Sequence, residues 1–298
     1  MATIINDLKA AFARGNIYIR LIFINVGVFL VVAVTSIVMQ LFNRTLEPLL
    51  QWVELPASFG RLLVQPWSLL TYMFMHADLL HILFNMLWLY WFGSLFLLFF
   101  STKHLRGVYL LGGICGGLLY MVSYNVFPYF QPLLERSYLL GASASTLAIV
   151  AATAYREPNY PIRLLLFGTV KLKYLALVVI GLDLLFVTSG NGGGHLSHLG
   201  GALAGLWFAA ALSRGHDVTA WINRAIDAVE SLLRFRPRRK PKMKVHYGGN
   251  SRQKDYDYNA RRKAENDEID RILDKLKKSG YDSLSSKEKK SLFDASKR

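Results

Sequence analysis

The chain has 298 residues, 53% of them hydrophobic and 18% charged, with a mean hydropathy of +0.27 and a formal net charge of +15. A water-soluble core of this size does not need so much apolar sequence, so the composition argues for a lipid setting. Cys115 is the single cysteine, which excludes an internal disulfide and a multi-cysteine zinc cage.

Residues 1–213 hold twelve Lys and Arg against seven Asp and Glu, whereas residues 214–298 hold 23 against 13. The chain therefore divides into an apolar body, 1–213, and a basic end. Within that end we expect a juxtamembrane linker over 214–259 and a small helical hairpin over 260–298. Met1 to Ala13 carries Asp7 and Lys9 and runs into a long apolar stretch without a small-residue cleavage site, so no removable signal peptide is expected.

Six segments approach the roughly 20 apolar residues that a membrane helix needs: about Leu21 to Met39, Leu79 to Phe100, Val108 to Val126, Leu139 to Ala154, Tyr174 to Thr188 and His198 to Leu212. The fourth and sixth are short. At about 1.5 Å per residue they fall several ångströms below a hydrocarbon core of about 30 Å, which would sink their starting ends into a protein-lined, wet recess. Lys9, Arg14, Arg20, Lys103, Arg106, the cluster from Arg156 to Lys173 and the basic tail fall on one side if the helices alternate. That side is cytoplasmic by the excess of Lys and Arg on inner loops, so both termini are expected in the cytoplasm, in a bacterial plasma membrane. Segments two, four and six then all start from the outer side.

Those starts carry the chemistry-bearing residues. Ser143 follows Gly141-Ala142, His198 opens the sixth segment, and His81 and Asn85 lie four apart on one face of the second, with His76 just before it. Small residues recur at helical spacing: Ala144, Ala148 and Ala152; Gly201 and Gly205 after His198; and Gly112, Gly113, Gly116 and Gly117 in the third segment. Such stripes let membrane helices approach closely. A lone serine in a membrane helix is ordinarily a packing contact, and a lone asparagine an interhelical hydrogen bond. Serine and histidine together, at one depth and beside small-residue stripes, form a nucleophile and its base. Asp183, the acid of the fifth segment, is taken as structurally paired or snorkelling. Trp88, Tyr90, Trp91 and Phe92 are taken as lipid or interface anchors.

Gly141-Ala-Ser-Ala144, His198-xx-Gly201-xxx-Gly205 and the His76, His81, Asn85 set within Leu79 to Trp88 together resemble the signatures of the rhomboid intramembrane serine proteases, over most of residues 60–213. The resemblance implies an all-α, six-transmembrane-helix bundle and a serine-type endopeptidase that cuts at or near the outer end of transmembrane segments. It implies Ser143 as nucleophile and His198 as general base in a dyad with no acidic third member. His81, Asn85 and the Ser143 N–H would form the oxyanion hole, with His76 in support, and no cofactor or metal would be required. The partners implied are membrane-protein substrates and the bilayer. Three departures stand out. Ala144 occupies a position that is usually glycine, adding a methyl beside the oxyanion hole; Leu147 stands where many members have an aromatic; and the first outer loop has no adjacent Trp-Arg pair.

The alternatives are a non-proteolytic rhomboid-like protein that binds membrane clients, and a metal site or transporter built on His76, His81, His195 and His198. An intramembrane aspartyl protease fails because only Asp183 lies clearly within a segment. In the tail, the proline-interrupted run Arg234 to Lys244 is expected to lie on anionic lipid headgroups rather than on nucleic acid. Beyond it, Ala260 to Ser279 reads as a helix stopped at Gly280, and Ser285-Ser-Lys-Glu288 as a capping box opening a second.

Overall fold

A computed structural model describes Phe12 and residues 15–164, 168–233 and 251–296; the run Arg234 to Lys244 lies outside them. The described residues fall into two compact units divided after residue 235.

The first unit is a helical bundle: α1 (Ile17–Leu41), α2 (Leu79–Phe96), α3 (Thr102–Val126), α4 (Ser143–Arg156), α5 (Leu172–Leu185), α6 (Gly192–Ser213) and α7 (Ala220–Leu233). Among the described residues, α1, α2, α3 and α6 are long and apolar enough to cross a membrane. With α4 and α5 as short members, the architecture is all-α and multi-pass. α1 sits at the edge: Leu30, Val31, Val34 and Ile37 are exposed, as a lipid-facing helix requires. The segment between α1 and α2 folds into short helical turns and β1 (Leu55–Pro56), which pairs antiparallel with β2 (Tyr138–Leu139) just ahead of α4. A hairpin of β3 (Pro161–Leu164) and β4 (Gly168–Lys171) joins α4 to α5.

α4 is the centre of the bundle. Every residue from Ala144 to Ala154 is buried, and α2, α3, α5 and α6 all pack on it. Its small side chains let its neighbours reach its backbone. A Cβ placed on Gly201 or Gly205 of α6 would lie 2.1 Å from the carbonyl oxygen of Ala144 or Ala148, and one on Gly112 of α3 would lie 2.4 Å from the Ala148 methyl. The three small-residue stripes anticipated from the sequence thus meet on one helix. Polar ties reinforce the walls: Tyr72 Oη donates to the Gly113 carbonyl at 2.6 Å, and Asn25 Nδ2 donates to Tyr109 Oη at 3.2 Å.

Several boundaries differ from expectation. α6 begins at Gly192, so His198 lies in its second turn and the 22-residue α6 is not short; α4 and α5, with 14 residues each, are. The glycines that read as a loop form the first turn because nothing larger fits. A Cβ on Gly192 would lie 2.2 Å from the Val187 carbonyl oxygen, and one on Gly193 would lie 2.9 Å from Tyr120. The stretch expected to be a linker also contains α7, which packs on α3. Arg106 donates to Asn223 at 2.6 Å and pairs with Asp227 and Glu230, and Lys103 Nζ lies 3.2 Å from Asp227. Those cations hold the Asp227 carboxyl below its usual range. The apolar residues Ile222, Ile226, Val229 and Leu233 recur at helical spacing within a stretch that is basic overall.

The second unit is the helical hairpin, formed by α8 (Ser251–Ser279) and α9 (Ser286–Ser296). α8 starts nine residues earlier than expected. Gly280 ends it at φ 77°, a left-handed stop that suits glycine. The capping box is present: Ser285 N–H donates to Glu288 Oε2 at 2.8 Å, and Glu288 N–H donates to Ser285 Oγ at 3.3 Å. Ile272 and Leu284 are its buried apolar residues.

Two measurements probe this packing. Gly205→Ala forces a methyl against the Ala148 carbonyl and should lower stability in detergent by about 1–3 kcal/mol. Gly27→Ala, with nothing within 4 Å of the new methyl, should leave the midpoint unchanged or slightly raised. Separately, burial, with Glu47 nearby, raises Glu54 from 4.5 to about 7. The folded chain therefore holds this proton more tightly than the unfolded one, and its contribution to stability falls as pH rises from 4.5 through about 7. Glu54→Gln should match the native chain below pH 4.5 and exceed it at pH 8.5 by on the order of 1 kcal/mol in thermal unfolding.

Candidate active site

Ser143 is the first residue of α4, and the turn that delivers it is tightly specified. β2 is fixed by its pairing with β1, and Gly141 N–H donates to the Tyr72 carbonyl at 3.0 Å. Gly141 has φ 124°, and a Cβ there would lie 2.9 Å from His81 Nε2, so both conformation and space call for glycine. Thr146 N–H is the donor that reaches back to Ala142 O, at 2.9 Å. The N–H groups ahead of it, Ser143's among them, have no carbonyl of their own helix and form the positive end of α4.

His81 approaches from the first turn of α2. Asp78 caps that helix by accepting from His81 N–H at 2.9 Å, and His81 Nδ1 accepts from Ala77 N–H at 3.4 Å. The ring proton accordingly sits on Nε2, the nitrogen that faces Gly141. One turn on, Asn85 Nδ2 donates to the His81 carbonyl at 2.9 Å, leaving its second amide N–H for another acceptor. His76 is buried behind these groups, its ring edge-on to that of His81 with centroids 5.2 Å apart. Burial, with His81 beside it, pushes His76 down to about 4, so its ring is neutral.

Ser143, His198, His81 and Asn85 line one open recess of about 930 Å³, within the size range of ligand pockets. Its other walls include Trp88 of α2, Tyr120 and Tyr124 from the end of α3, and Gly193 of α6. The starts of α2, α4 and α6 therefore share one end of the bundle, as alternation of the helices requires. α4 spans about 21 Å with its 14 residues, well short of a hydrocarbon core of about 30 Å, so it cannot reach both surfaces of a membrane. His76 is not part of the lining.

The sixth helix brings a pairing that the sequence did not disclose. Asp183 Oδ1, near the end of α5, lies 2.8 Å from His198 Nδ1 and also 2.8 Å from His195 Nδ1. The acid assigned to structural pairing is thus bonded to His198, the residue expected as the base. Asp183, His195 and His198 are also the one group among the described residues whose donor atoms, all within 4.8 Å of one another, have the geometry to hold a metal. The histidine set of the metal alternative does not assemble: His76 and His81 sit together on the α2 side, and His195 and His198 meet Asp183 instead. Two signals pointed to this pairing: an acid inside a membrane segment, and two histidines three apart, which share a face once the glycines before them are helical.

The Ala144 methyl is not beside the recess. It faces Gly116 of α3, where an added Cβ would lie 2.7 Å from it, so a glycine on the neighbouring helix accommodates the departure. Leu147 does line the recess and is buried.

The rhomboid domain model matches residues 64–215, about half of the chain. The chain belongs to the rhomboid family. A further model, a family of unknown function (DUF6576), matches residues 252–298, the hairpin of this rhomboid protein. The RHOMBOID-like protein 12, mitochondrial, of Arabidopsis thaliana is 31% identical over 144 residues, covering 45% of this chain and 43% of the relative. The chain thus spans less than half the length of that relative.

Proposed function

We propose that this rhomboid protein is an intramembrane serine endopeptidase, a hydrolase that cuts membrane-protein substrates near the outer end of a transmembrane segment. The observation that carries this reading is the convergence of Ser143, His198, His81 and Asn85 on one recess at the start of α4. Ser143 Oγ attacks the scissile carbonyl while His198 Nε2 takes its proton, and His198 later returns that proton to the leaving amine. Asp183, bonded to His198 Nδ1, keeps the ring in the tautomer that leaves Nε2 free and steadies the imidazolium that forms. The developing oxyanion is met by the Ser143 N–H, the His81 Nε2–H and the free Asn85 N–H, donors held in place before the reaction begins. Water enters through the open recess to release the acyl-enzyme.

The asymmetry of Lys and Arg supports an orientation with both termini in the cytoplasm and the recess facing outward. A scissile bond must leave its own helical hydrogen bonds to reach Ser143, so small or helix-weakening residues near the cut favour cleavage.

Cleavage of a model single-span substrate in liposomes tests the assignment. Ser143→Ala and His198→Ala should abolish it while leaving the chain folded and inserted, and Asn85→Ala should slow it by on the order of 10²-fold. Asp183→Asn should slow it by about tenfold or more, since the amide favours the wrong tautomer. Activity in EDTA should persist. Cleavage at the native rate by Ser143→Ala or His198→Ala would overturn the assignment.

A further inference from the structure

Asp183 is buried, with 5% of its surface exposed, yet its hydrogen bonding is lopsided. Oδ1 serves both His195 Nδ1 and His198 Nδ1, each at 2.8 Å, while Oδ2 is buried with no partner. A buried carboxylate oxygen without a donor is costly, and nothing in the proposed proton transfer requires His195. The two imidazoles stand three residues apart on one face of α6, opposite the carboxylate of α5; their side chains are 21% and 23% exposed, and His198 lines the recess.

We propose that Asp183, His195 and His198 form a binding site for a zinc ion, and that its occupancy switches the serine chemistry off. Two imidazoles and a carboxylate form a donor set suited to a borderline-soft divalent ion, and the partial exposure of both rings leaves a fourth position for water. Tetrahedral zinc with bonds of about 2.0–2.1 Å separates its ligands by roughly 3.3 Å, so the present contacts open by about half an ångström to admit it. Oδ2 can then share the carboxylate's contact with the metal or its water.

The switch follows from proton bookkeeping. Without metal, Nδ1 of each ring carries the proton donated to Oδ1, and His198 Nε2 has the free lone pair. Zinc bonds to the Nδ1 lone pair, so the proton of each neutral ring moves to Nε2, with no net proton released. His198 then presents an N–H to Ser143 and cannot accept the hydroxyl proton. Binding itself needs only the three ligands; the loss of activity rests on the serine mechanism proposed above.

Calorimetric titration of the full-length Ser143→Ala protein in detergent with zinc chloride, after EDTA stripping, separates the two. The native ligand set should take one zinc per chain, and Asp183→Asn or His195→Ala in the same background should weaken binding roughly 10- to 100-fold. His216→Ala should bind as before. For cleavage, each protein is compared with itself as the ratio of its rate in zinc to its rate in EDTA, so differences in basal rate do not enter. The native chain should lose roughly tenfold or more in zinc, whereas His195→Ala should show a ratio near one. Zinc binding that ignores Asp183 and His195, or equal inhibition of the native chain and His195→Ala, would overturn the site. Ligand-dependent binding by a chain that cleaves nothing would uphold the metal site and overturn the serine reading.

Discussion

Close approach of glycine to backbone holds this bundle together. Lipid is as apolar as the helix surfaces, so burial of apolar area supplies little drive for one membrane helix to join another, and close van der Waals packing has to serve instead. Gly201 and Gly205 of α6 rest on the carbonyls of Ala144 and Ala148, and Gly112 of α3 rests on the Ala148 methyl. Enclosed in this way, α4 can be short: helices rather than lipid surround its 14 residues, and its ends need not reach the membrane surfaces. Each later feature of the site depends on that shortness.

The start of the short central helix lies among the start of α2, the end of α3 and the first turns of α6, and the space between them is the recess. Ser143 occupies the positive end of α4, where unpaired N–H groups are available to a developing anion. Gly141 turns the chain into that position and leaves room for the His81 ring beside it. Asp183 fixes His198 from α5, so that histidine is held by a contact between helices as well as by its own rotamer. Packing and chemistry are in this sense one arrangement: the glycines that bring α6 against α4 follow His198 on the same face.

Much of this was legible in the sequence because membrane helices declare themselves by length and small residues by spacing. Six apolar helices, four of them long enough to cross a membrane, the meeting of Ser143, His81, Asn85 and His198 in one recess, and the Ser285 to Glu288 cap were readable from the sequence. What escaped depended on partners far away in the chain. Gly192 to Gly194 look like a loop until Tyr120 and the Val187 carbonyl are seen to leave no room for side chains. The Ala144 methyl looks like an obstruction until Gly116 is found opposite it. Asp183 looks like an isolated acid because His195 and His198 lie on another helix, and α7 is concealed in a basic stretch because its acids, Asp227 and Glu230, answer Lys103 and Arg106 of α3.

The central claim is that Ser143 is an activated nucleophile in a water-accessible recess. The direct measurement is labelling of the purified full chain in detergent with a mechanism-based serine probe, with the modified residue located by mass spectrometry, beside Ser143→Ala and His198→Ala. The account predicts a stoichiometric adduct on Ser143 in the native chain and none in either variant. Folded native protein that takes up no probe at Ser143, or His198→Ala that labels as readily as the native chain, would contradict it.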